Sequence, residues 1–174
     1  MYKRLIILIV VLMTPYQLFA EITMHRSNAS APIGDGWHLA VSEEGGFSIE
    51  VPSEFNDLST VVKSIQSTVY AVGGKTENGI IFMATKSVLP NIIESKAAYE
   101  YLYQELKVEI LQEDMKDNSF LAETEKKYTY IRVWVKREGT KMYALSFEYP
   151  KPMREIAIKQ SERMFKSLRL KTKQ

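Results

Sequence analysis

Residues 128 to 149 constrain the fold more than any other stretch. Two runs, Tyr128 to Arg137 and Lys141 to Tyr149, alternate with period two on either side of Glu138-Gly139-Thr140, the pattern of an antiparallel hairpin. Ile131, Val133 and Val135 point one way; Tyr130, Arg132, Trp134 and Lys136 point the other. On the partner run Tyr143, Leu145, Phe147 and Tyr149 share a face. Both sides are substantially apolar, so both need cover, as in a sheet packed between helices.

The flanking sequence supplies the rest of such a sheet. Trp37 to Val41 and Phe47-Ser48-Ile49-Glu50-Val51 read as two strands joined through Gly45-Gly46, with Pro52 ending the second. Ile65 to Val72 and Ile80 to Lys86 form the next pair, with Gly73 to Gly79 as a loop of residues that tolerate positive φ. Phe120 to Thr124 is a further strand. Gly73-Gly74-Lys75 lacks the spacing and the strand-to-helix transition of a phosphate-binding loop.

Two helices are expected. Pro90, Asn91 and Glu94 make a capping-box-like start, and Ile92, Tyr99, Leu102, Tyr103, Leu106 and Ile110 fall on one stripe, ending near Asp114. The second begins at Pro150 and Pro152 and places Ala157, Ile158, Ser161, Met164, Phe165 and Leu168 inward. Lys166 to Leu170 then turns extended as an edge strand. The predicted fold class is α+β: an α/β/α sandwich with a central antiparallel sheet of about six or more strands and two main helices.

The N-terminus reads as an address. Lys3 and Arg4 precede the unbroken apolar run Leu5 to Met13; Thr14, Pro15 and Gln17 break it, and Leu18-Phe19-Ala20 ends on a small residue, the order of a signal peptide. Nine helical residues reach about 14 Å, less than half of a hydrocarbon core of about 30 Å. Residues 1–20 are therefore expected to be cleaved after Ala20, leaving no stable membrane span and a chain that is periplasmic or secreted. Residues 21–36, polar and turn-rich, read as a flexible leader, 37–170 as one globular domain, and 171–174 as a polar tail.

Composition then excludes several functions. The chain has no cysteine, hence no disulfide, thiol nucleophile, cysteine-held metal or lipid anchor on cysteine. Without Lys3 and Arg4, the 23 Lys and Arg fall to the same number as the 21 Asp and Glu. A neutral domain with no long basic run gives nucleic-acid binding little support. His25 and His38 do not sit at helical i, i+4 spacing and have no clustered carboxylates beside them, so neither a metal site nor a Ser-His-Asp triad is expected. No cofactor is implied. The glutamates Glu50, Glu54, Glu123, Glu125 and Glu148 lie on or near strands and read as a solvated face. A facing pair among them would make the chain a carboxylate-dependent hydrolase of cell-envelope material, the second functional reading.

Three motifs carry a family likeness. Gly46-Phe47-Ser48-Ile49-Glu50-Val51-Pro52-Ser53-Glu54-Phe55 resembles an opening strand that ends in proline and an aromatic. Met142 to Tyr149 resembles the central strand, and Phe165-Lys166-Ser167-Leu168 the closing signature, of the PsbP-like family, whose fold is shared with the Mog-type Ran-binding proteins. The likeness spans most of Trp37 to Leu170. It implies an α/β/α sandwich and a non-catalytic binding or assembly factor, several relatives being exported; it brings no catalytic motif. The leading expectation is accordingly a non-enzymatic exported module that binds a protein partner in its compartment. The candidate binding surface is the row Tyr128, Tyr130, Arg132, Trp134 and Lys136, which sets aromatics and cations on one strand face. The competing expectation for the same row is burial under a helix, with the cations reaching outward at its ends.

Overall fold

The computed structural model describes residues 22–25, 31–62, 67–88, 109–114 and 119–171. Among these are twelve strands, a 3-10 turn and an α-helix, arranged as two antiparallel sheets.

The larger sheet has eight strands in the order β1-β5-β6-β7-β11-β10-β9-β8. They are β1 Ile22–His25, β5 Asn56–Val62, β6 Ser67–Lys75, β7 Ile81–Val88, β8 Glu109–Asp114, β9 Ser119–Glu125, β10 Thr129–Glu138 and β11 Lys141–Pro150. The hairpin read from the sequence is present, in the register Trp134↔Leu145 and Arg132↔Phe147. The smaller sheet runs β12-β4-β3-β2, with β2 Ala31–Gly34, β3 Trp37–Ser42, β4 Phe47–Val51 and β12 Arg169–Leu170. Helix α1, Arg154–Ser167, follows the turn Lys151–Met153.

The smaller sheet and α1 together cover one face of the larger sheet. Period two buries Phe47, Ile49 and Val51 from β4; helical spacing buries Ala157, Ser161 and Met164 from α1. These meet Val72, Phe82, Ala84, Leu145, Phe147 and Tyr149 of the larger sheet in a single core. Ala157 and Ser161 are small, which brings the helix close, and the Ser161 hydroxyl donates to the Ile158 carbonyl at 2.8 Å. Residues on either side of β12 fasten the layer: the Glu50 amide donates to Ser167 Oγ at 2.9 Å and the Lys171 amide to the Gly46 carbonyl at 2.9 Å. The other face of the larger sheet is also buried, at Val69, Phe120, Ala122, Ile131, Val133, Val135 and Met142.

Several expectations need correction. The fold is α+β, but the described residues contain one helix, not two. The first expected helix falls largely outside the described residues, and its last part, 109–114, is the edge strand β8, paired with β9 through a bulge between Ile110 and Gln112. The expected leader carries β1 and β2, each hydrogen-bonded into a sheet, so 22–25 and 31–34 belong to the fold. Strand β5 was not foreseen. Gly73 and Gly74 lie inside β6, opposite Met83 and Phe82, and the loop is confined to Thr76–Ile80. A Cβ on Gly74 would stand 2.4 Å from the Glu54 carbonyl oxygen and 2.7 Å from the Phe82 ring. Glycine is there because another backbone passes too closely for a side chain, not to permit a turn. The expected signal peptide and the 171–174 tail, Lys171 apart, lie outside the described residues. No helix among the described residues is long and apolar enough to cross a membrane.

Candidate functional site

Tyr130, Arg132, Trp134 and Lys136 lie along one face of β10, and Tyr128 stands in the bend just before it. Tyr128 is 70 % exposed, with the Lys127 ammonium 4.9 Å from its ring centre. Tyr130 stacks on Tyr149 at 5.9 Å between centroids, and the Lys151 and Arg154 cations lie 5.7 and 5.2 Å from its ring. Arg132 and Trp134 lie toward the C-terminal half of α1, where Trp134 stacks on Phe165 at 6.2 Å. Lys136 ends the row beside Glu138, 3.9 Å away. The middle of the row therefore lies against the helix.

Beneath the helix start is a buried charge network that ties three neighbouring strands to α1. Glu123 of β9 is 6 % exposed. Its carboxylate accepts from the Tyr149 hydroxyl at 2.6 Å and from Arg154 Nη2 at 2.6 Å, and it stands 3.5 Å from Arg132 Nη1. Burial opposes the Glu123 charge, yet the hydrogen bonds from Tyr149 and Arg154 and the charges of Arg154 and Arg132 outweigh it. The carboxyl is held below the ordinary glutamate value. Burial and the donated bond to Glu123 push the Tyr149 hydroxyl well above the ordinary tyrosine value. Arg154 occupies the first turn of α1, an unfavourable place for a cation on dipole grounds; its carboxylate partner accounts for it.

Arg132 is the unbalanced member. It is 6 % exposed, but its one carboxylate contact among the described residues is long and shared with two better-placed donors. Its Nε has no hydrogen-bond partner among the described residues. It borders a groove of about 440 Å³ between α1 and the β9–β10 end of the sheet. Trp134, Leu121 and Phe165 make the apolar walls, Glu162 and Lys166 stand on the helix side, and Ser119 and Phe120 complete the end. Sequence reasoning reached Arg132 and Trp134 but not Leu121, Glu162, Phe165 or Lys166 as their companions. Only the inward stripe of α1, which included Phe165, pointed toward this meeting.

The strand glutamates do not face one another across this groove. Glu50 pairs with Arg163 at 2.8 Å, Arg163 also lying 4.1 Å from the Trp37 ring centre. Glu125 pairs with Lys151, Glu148 accepts from Thr129 Oγ1 at 3.3 Å, and Glu54 is exposed on the loop after β4. His25 and His38 fall on strands of different sheets.

No family model matches the chain, and no curated protein matches it. Solved structures with a similar arrangement include a protein of Bacteroides thetaiotaomicron, at a TM-score of 0.46 and 16% identity over 78% of this chain and 48% of that one. This chain thus spans about half the length of that neighbour. Another is LpqN of Mycobacterium tuberculosis, described as involved in cell envelope biogenesis, at a TM-score of 0.33 and 10% identity over 89% of this chain and 93% of that one.

Proposed function

We propose that this chain is a non-enzymatic, exported binding or assembly module of PsbP-like type, which recognises a protein partner through the groove between α1 and the β9–β10 end of the sheet. The groove carries the reading: Trp134 and Phe165 offer aromatic surface beside a buried arginine, the residue types that concentrate binding energy at protein interfaces. Export rests on the signal-peptide pattern of residues 1–20, and the family type on the three motifs. The α/β/α architecture, with a second helical layer as expected from the sequence, is part of the same proposal. Replacing both Leu102 and Leu106 by Asp would then abolish cooperative unfolding, whereas an unchanged transition would remove that layer from the fold.

The functional test is capture of partners from an extract of the native compartment by the mature protein. Trp134→Leu and Lys166→Glu serve as parallel baits, each checked for folding by circular dichroism. A partner held by the wild type and lost from both folded variants is the expected result. Capture that is indifferent to both substitutions would place recognition elsewhere.

A further inference from the structure

From the incomplete pairing of Arg132 we infer that the partner presents a carboxylate carried on an apolar body, an acidic side chain beside a large apolar one, which seats its charge on Arg132 and its apolar part on Trp134, Leu121 and Phe165. This rests on the reading of the groove as the recognition site and adds to it the chemistry of what enters.

A buried guanidinium needs partners, because taking it out of water without them is costly. Glu123 is the one carboxylate in the network, and its two short contacts, both 2.6 Å, go to Tyr149 and Arg154. Among the described residues Arg132 is left with a contact at 3.5 Å and an unpartnered Nε. Two arginines thus share one anion, and Arg132, the one with the longer contact, is among the residues that line the groove. A carboxylate matches a guanidinium through paired N–H donors. The walls beside it are apolar, so the entering group must carry apolar surface as well. Lys166 on the helix favours an incoming anion and Glu162 opposes it, which gives the site a rim residue of each sign to vary.

The probe is 4-phenylbutyrate, which joins a carboxylate to an aromatic body, titrated into the mature protein and followed through the Trp134 indole N–H and the neighbouring amides by NMR. Its uncharged and cationic counterparts, 4-phenylbutanol and 4-phenylbutylamine, are titrated in parallel. The carboxylate is expected to bind at the Trp134–Phe165 groove about tenfold or more tightly than the alcohol, the scale of one charge-assisted hydrogen bond in a buried setting. Arg132→Gln should erase that preference while leaving weak apolar binding. Because Arg132→Gln also disturbs the Glu123 network, Glu162→Gln on the exposed helix surface is the second variant, and it should tighten carboxylate binding severalfold. Equal binding of acid and alcohol, or perturbations away from Trp134, overturns the inference. So does a Glu162→Gln protein with unchanged preference.

The same probe added to the capture experiment separates this inference from the proposed function. Release of a groove-dependent partner by 4-phenylbutyrate but not by 4-phenylbutanol supports both. A groove-dependent partner that neither compound releases leaves the proposed function standing and defeats the carboxylate. Specific binding of 4-phenylbutyrate with no groove-dependent protein to release assigns the groove to a small amphiphilic acid, and overturns the partner in both statements.

Discussion

Glu123, Tyr149, Arg154 and Arg132 form the most consequential group of side chains in this protein, since each comes from a different element and all lean on one carboxylate. Removing that carboxylate leaves two arginines without their anion. Glu123→Gln should therefore destabilise the fold by about 3–5 kcal/mol, the range for breaking a buried charged pair from one side, measured by urea unfolding at neutral pH. The pH dependence has a defined sign. The folded carboxyl sits below the ordinary value of 4.5, so the unfolded chain takes up its proton first. The network's contribution is fully present above the ordinary glutamate range and is lost as pH falls through the lower folded value. Unfolding free energies measured from pH 7 downward should show this loss in the wild type and a shallower acid limb in Glu123→Gln. Tyr149 acts at the opposite end. Its hydroxyl is raised above the ordinary value of 10.0, so the unfolded chain ionises first, and stability falls as pH rises beyond that value. Tyr149→Phe should flatten this alkaline limb and cost about 1–3 kcal/mol at neutral pH, because Glu123 loses a donor; an unaltered alkaline limb would show that the hydroxyl is not held as described.

Among the elements, β6 shows how a strand can be tied to its neighbours by what it lacks. Gly74→Ala would force a Cβ into the Glu54 carbonyl and the Phe82 ring, and overpacking of this kind should cost about 1–3 kcal/mol. Gly139, at φ 60° with nothing within 4 Å of its missing Cβ, has a different reason to be glycine. Gly139→Ala should cost about 1–2 kcal/mol, from backbone conformation alone. Thermal melts of both variants check the pair, and a crystal structure of Gly74→Ala should show the loop after β4 displaced while Gly139→Ala keeps every contact. The same strand explains what was legible beforehand. Strands β4, β10 and β11 declare themselves by alternation, β4 with one buried face and the β10–β11 hairpin with apolar residues on both. Gly73-Gly74 reads as a loop because glycine usually marks one; the approach of Glu54, twenty residues away, is invisible in a linear pattern. Strand β5, Asn-Asp-Leu-Ser-Thr-Val-Val, has no clean period of two. Strand β8 carries Ile110 at helical spacing from Leu106, so its residues complete a helical stripe as readily as a short bulged edge. The site was legible only in half. Arg132 and Trp134 stood out in one strand, whereas Leu121, Glu162, Phe165 and Lys166 join them through sheet register and helix docking. The Glu123–Tyr149–Arg154 contacts depend on that same three-strand register.

At the scale of the whole molecule, the C-terminal segment reaches back to the N-terminal sheet. Arg169 and Leu170 pair with Ser48 and Phe47, and Lys171 adds an ion pair to Glu43 at 2.6 Å. Truncation after Ser167 removes this clasp along with Leu168 and Leu170, which pack on the core. A loss of about 2–3 kcal/mol is expected from that partly buried surface and the backbone bonds, read as a lower urea midpoint. If residues 1–20 act as proposed, sequencing the exported protein should give Glu21 as its first residue; a mature chain retaining Leu5 to Met13 would refute cleavage. The strand order of the larger sheet carries a further consequence. Apart from β1, its pairings are hairpin-like neighbours in sequence except at one seam, where β11 lies against β7 with Lys141 opposite Val88. Strands β5 to β7 and β8 to β11 are thus two meanders that meet late. During synthesis that seam cannot close until residues near 150 have left the ribosome. A sheet completed by such a distant pairing forms slowly. For a chain proposed to cross a membrane before it folds, slow closure is useful: it lengthens the interval in which a translocation channel still receives an open polypeptide.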